Sequence, residues 1–127
     1  MSATQASAVS AVLFQLMGTL DRYAQEAAQL TGARVDPEAY HRMRLHLDEM
    51  RHYAQNMPGL SASWVEVLIR HFELVHVRWR IEQGGEDPGR LAPVCADHDA
   101  AVQRMRSLCG VLLVGDTGPR GSSSWTS

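Results

Sequence analysis

Two Glu-x-x-His pairs carry the most specific chemistry in the chain, Glu49 with His52 and Glu73 with His76. Three residues apart on a helix, the two side chains share one face. Di-metal helical bundles use two such pairs plus one carboxylate from each of two further helices. Glu26, Asp97 and Asp99 are the carboxylates on hand. Orientation argues against that use. At ~100° per residue, Glu49 lies roughly 120° from the middle of its helix's apolar stripe and His52 nearly opposite it. Glu73 is similarly displaced, and only His76 flanks an apolar face. The pairs therefore predict solvated charges engaged with helical neighbours, and no metal or other cofactor is assigned. Glu73, His76 and His98 are what remains of a metal-ligand set.

His98 differs because it occupies a seam position, between Asp97 and Asp99. A histidine on an apolar face is expected to be a core residue with one hydrogen bond. The sharper alternative is a pH-sensitive or metal-binding group facing His76 across the bundle. His41, His46 and His52 stand among Arg42, Arg44 and Arg51. They give one helix a basic, titratable surface that could hold an acidic partner or phosphate groups, although Asp48 and Glu49 dilute its charge. Trp64, Phe72 and Trp79 follow one another along a single helix. Packing inside the core is their ordinary role; an exposed Trp64 or Trp79 would anchor a partner protein. The candidate partner-binding residues are therefore Trp64, Trp79, Arg42 and Arg51.

The stretch Gly59-Leu60-Ser61-Ala62-Ser63-Trp64-Val65, within residues 50–70, resembles the turn and the start of a recognition helix in helix-turn-helix proteins. The resemblance implies a DNA-binding regulator with a short, steeply crossing helix before Gly59. Two positions depart from that pattern. Pro58 stands where an apolar residue normally packs, and Gln55 where a small residue lets the helices cross. Few basic groups beyond Arg70 lie on the expected recognition face, which ranks nucleic acid below protein as a partner. No Gly-x-Ser-x-Gly, phosphate-cradling loop or Cys-x-x-Cys occurs. Catalysis is accordingly not the expected function.

The spacing of apolar residues sets out the elements that position these groups. Val9, Leu13, Leu16, Leu20, Tyr23, Ala27 and Leu30 alternate steps of four and three, forming one stripe of a first helix that ends at Thr31-Gly32. Asp36-Pro37 supplies an N-cap and a first-turn proline for a second. Its stripe is Tyr40, Met43, Leu47, Met50, Ala54 and Met57, and Pro58-Gly59 stops it. A third helix starts near Ser61 or Ser63, with Ser63 and Glu66 spaced as a capping box. Its stripe is Val65, Leu68, Phe72, Val75 and Trp79, and Gln83-Gly84-Gly85 closes it. Glu86 to Pro93 reads as a loop. A fourth helix runs from near Pro93 to about Val114 with the stripe Val94, His98, Ala101, Met105, Leu108 and Leu112. These helices predict an all-α, up-and-down (antiparallel) four-helix bundle over residues 1–114, and a disordered C-terminal tail over 115–127 with Trp125 as its one anchor.

The chain of 127 residues is the size of one domain, and its 45% hydrophobic content suffices for a core without disulfides. All 12 basic residues are arginine, and the net charge of −2 exerts no general pull on nucleic acid or anionic membrane. Cys95 and Cys109 fall fourteen residues apart in one helix, roughly 21 Å and beyond disulfide reach. Free thiols, no charged leader segment and no apolar run long enough to cross a bilayer together suggest a cytoplasmic protein. The heptad-like stripe of the first helix is compatible with a coiled-coil seam between two copies. The function expected from all this is protein–protein interaction, as an adaptor, chaperone or regulator, with a homodimer as the first possibility. A helix-turn-helix regulator and a metal-binding bundle are the alternatives.

Overall fold

The computed structural model describes residues 3–32 and 36–117, and within them every element is helical. Helix α1 spans Ala3–Ala28, α2 Pro37–Ala54, α3 Ser61–Glu82 and α4 Leu91–Thr117. Short 3-10 turns at Gln29–Thr31, Pro58–Leu60 and Pro88–Arg90 end or begin them. The expected all-α, up-and-down bundle is the fold observed. Its four directions follow from side-chain pairs between elements. Glu26 of α1 meets Arg42 of α2 and Gln15 meets Tyr53, so those helices are antiparallel. Asp21 meets Arg106 and Tyr23 meets His98, so α4 is antiparallel to α1. Glu66 meets Arg104 and Arg70 meets Asp97, so α3 and α4 are antiparallel too.

The termini obey local chemistry. Asp36 adopts an extended backbone and its Oδ1 accepts from the Glu38 amide at 3.0 Å, with Pro37 in the first turn. Gly84 carries a φ of 78°, the left-handed conformation that favours glycine, while the Gly85 amide donates to the Arg80 carbonyl. One cap and two boundaries differ from expectation. Ser63 forms no capping box: α3 starts at Ser61, and the Ser63 hydroxyl donates to the Leu60 carbonyl. The segment before α4 is tighter than a loop, because Asp87 accepts from the Gly89 amide and nucleates a turn that leads into Leu91. Helix α4 continues past Val114 to Thr117; residues 118–127, with Trp125, lie outside the described residues.

Around this frame the core forms from Leu13, Leu16, Leu20 and Tyr23 of α1, Leu30 of the turn after it, Met43, Leu47 and Met50 of α2, and Val94, Ala101, Met105 and Cys109 of α4. Burying each large aliphatic side chain contributes about 1.5–3 kcal/mol. Apart from Cys109, which takes the fully buried place expected of Leu108, these belong to the stripes that spacing assigned to the three helices. The third behaves otherwise. α3 turns Val67, His71, Leu74, Val77 and Arg78 inward, and leaves Val65, Ile69, Phe72 and Trp79 outside. Its most apolar stripe is therefore not its core face, which corrects the expected assignment. The reason is packing order. α1 lies along both α2 and α4, and α3 lies along α4, whereas α2 and α3 touch little. Because α2 stands off across that gap, the stripe of α3 is only partly covered, with Leu68 and Val75 against the core and Phe72 and Trp79 open.

Candidate functional site

The gap between α2 and α3 is a groove of about 710 Å³. Trp64, Leu68, Phe72, Val75 and Trp79 line one wall, and Tyr40 and Leu47 belong to the other. Phe72 is 61% exposed and Trp79 54%, values far above those of an ordinary packed aromatic residue. From Trp64 to Trp79 the wall extends fifteen residues, or ~22 Å of helix. Arg44, Asp48 and Arg51 stand along α2 and His76 along α3, so the apolar channel has a polar edge. Arg51 is 4.0 Å from Asp48, an exposed pair one turn apart.

His71 belongs to both groove and core. It lines the groove, yet it is only 6% exposed, and its Nδ1 is 2.9 Å from the Tyr23 hydroxyl. On the other side of that hydroxyl lies His98 Nε2, at 2.7 Å. One phenol from α1 thus bridges imidazoles of α3 and α4 at the centre of the bundle. Burial lowers both histidines to about 4, with mutual repulsion a smaller cause at His71. Burial raises the Tyr23 phenol far above its usual range. All three groups are neutral at pH 7.

A phenol has one proton, so it donates to one ring and accepts from the other. The buried His98 Nδ1 has no hydrogen-bond partner, since Asp99 Oδ1 is 4.0 Å away. Leaving a lone pair there costs less than leaving an N–H. We therefore assign the His98 proton to Nε2, which donates to the Tyr23 oxygen, while the Tyr23 hydroxyl donates to His71 Nδ1. The buried charge on α3, Arg78, is neutralised locally. The Arg78 guanidinium donates to the Gly32 carbonyl at 3.0 Å and lies 3.7 Å from Glu82.

The sequence-level candidates now separate. His98 is a core histidine, as its seam position implied, but its partner is Tyr23; His76 is exposed at the groove and does not face it. Glu73 pairs with Arg70 at 3.2 Å, and Glu49 approaches Arg22 at 3.8 Å. His52 is exposed, with its ring edge against Tyr53. The two Glu-x-x-His pairs do not converge, and no group of three or more potential metal ligands gathers among the described residues. Trp64, Trp79 and Arg51 come together in the groove. Arg42 does not, because Glu26 holds it at 2.9 Å. His71 was missed. The spacing Val67, His71, Leu74, Arg78 was available as a stripe, but two of its four members are polar and a more apolar stripe lay beside it.

The free thiols are held protonated: burial pushes Cys109 up to about 11 and also raises Cys95. The helix before Gly59 runs eighteen residues, whereas a helix-turn-helix implies a short one. Among the described residues no helix is long and apolar enough to cross a membrane. No family model, curated protein or solved structure matches the chain.

Proposed function

We propose that this chain works by binding another protein, and that the groove between α2 and α3 receives a helix of that partner. One observation carries the reading: the most apolar stripe of α3, with Phe72 and Trp79 more than half exposed, lies open to solvent along a helix-length channel. A monomer gains nothing from such a surface, whereas a helix laid into it would cover the stripe. Trp64 and Trp79 act as anchors at its two ends, and Arg51 borders it. No cofactor enters this function, and the free thiols suit a reducing, cytoplasmic setting.

The test is a photo-crosslinking residue placed at position 72 in the full-length chain, expressed in its native cell. A discrete protein adduct at 72, with none at the exposed position Gln103, is expected. Adducts at 72 no more abundant than at 103 would overturn the reading.

Self-association is the second reading, and a different surface favours it. Phe14 of α1 is 63% exposed. The Asp21–Arg106 pair sets the register of the outer α1/α4 face, and Phe14 lies seven residues before Asp21 on that face. Sedimentation should show a dimer that Phe14→Asp converts to monomer. A wild-type monomer at every concentration would remove it.

A further inference from the structure

The groove has a charge sign as well as an apolar floor, and the sign selects its occupant. The ionisable groups that line it are Tyr40, Arg44, Asp48 and Arg51 of α2, and His71 and His76 of α3. The one carboxylate among them, Asp48, is already beside Arg51. Arg44 is exposed and has no ion pair with any described residue. Two acidic groups of α3 turn elsewhere, Glu66 to Arg104 and Glu73 to Arg70, while Glu82, at the C-terminal end of α3, lies between Arg78 and the Tyr40 phenol. The channel is therefore an aromatic trough with surplus positive charge on its α2 edge, in a protein whose overall charge is negative.

We infer that the groove takes an acidic amphipathic helix of about four turns, with apolar residues at i, i+3/i+4 and i+7 against Phe72, Trp79 and Leu68 and carboxylates against Arg44 and Arg51. This rests on the groove being the interaction surface. A second copy seated groove to groove is the poorer occupant, because it would set two Arg44 and two Arg51 side chains against only two Asp48 carboxylates. Exposed charges steer and select more than they bind, so the signature is preference between ligands and its dependence on salt.

The probe is a fluorescein-labelled sixteen-residue model helix, with leucines in the stated pattern and glutamates flanking them. A matched peptide carries lysines in place of the glutamates. Wild-type full-length protein should bind the acidic helix at least about tenfold more tightly. The double reversal Arg44→Glu/Arg51→Glu, on an exposed face, should invert that preference. Phe72→Asp should weaken both peptides while leaving helicity unchanged by circular dichroism. Equal or tighter binding of the lysine peptide overturns the inference, as does a preference that the charge reversal leaves intact. A thymidine oligonucleotide that displaces the acidic helix at equal concentration also overturns it, by showing that the groove takes nucleic acid. Two failures remain distinguishable. If Phe72→Asp abolishes binding of both peptides but neither was preferred, the groove stands and the acidic assignment falls. If Phe72→Asp alters nothing, both fall.

Discussion

Helices α1 and α3 are of similar length and carry apolar stripes of similar spacing, yet the bundle treats them in opposite ways. In α1 the stripe Leu13, Leu16, Leu20, Tyr23 and Ala27 is the core, continued by Leu30 in the turn that follows. In α3 the stripe through Phe72 and Trp79 is open, while His71 and Arg78 are buried. Neighbours explain the difference. α1 is flanked by both α2 and α4, so its apolar face is enclosed; α3 has α4 alone as a close companion. A hydrophobic stripe reports where apolar atoms lie on one helix. It does not report whether another element of the same chain arrives to cover them.

The largest expected departure between the two helices comes from acid. His71 and His98 are held at about 4, against 6.5 for an unperturbed imidazole. Between those values the unfolded chain binds more protons than the folded one. Stability is therefore complete above about pH 6.5 and declines toward pH 4, by about 3 kcal/mol for each imidazole. Urea unfolding followed by circular dichroism at about pH 7 and pH 4.5 should show a large fall in midpoint; coincident curves would contradict a neutral buried triad. Next in size is Leu16→Ala, which empties a fully enclosed site and should cost about 2–5 kcal/mol. Its unfolding midpoint at pH 7 reads this directly, and a loss below about 1 kcal/mol would mean that the α1 stripe is less enclosed than described.

Tyr23→Phe preserves volume but strips two buried imidazoles of their shared partner, for an expected loss of about 1–3 kcal/mol. A neutral result would show that the rings find other partners. The smallest effect belongs to the groove. Phe72→Ser should change stability by no more than about 0.5 kcal/mol, since the ring is mostly exposed and meets the His71 ring only edge-on. A loss as large as that of Leu16→Ala would erase the contrast between the two helices and, with it, the reason for reading the α3 stripe as an interface.

Some of this was available before any coordinates. Asp36-Pro37, Pro58-Gly59 and Gly84-Gly85 punctuate the chain through backbone chemistry that acts over a few residues, so the four helices were legible. The Ser63–Glu66 capping box was a false local signal, because the turn at Pro58–Leu60 starts α3 two residues earlier. For the groove, the sequence offered Trp64, Phe72 and Trp79 as a row and Arg51 as a candidate, but gave no sign that the row faced outward.

What the sequence by itself determined is the all-helical chain and the inward faces of α1, α2 and α4, because there the periodicity of one segment and the demand for burial agree. Only the tertiary structure decided which face of α3 is inside. Val67, His71, Leu74 and Arg78 are an acceptable core face only because Tyr23 and the Gly32 carbonyl, forty-eight and forty-six residues away, satisfy the two polar side chains. A buried imidazole or guanidinium without such partners costs several kcal/mol. Pattern along one helix cannot supply partners from another, so the fate of α3, and the groove that results, is settled by packing.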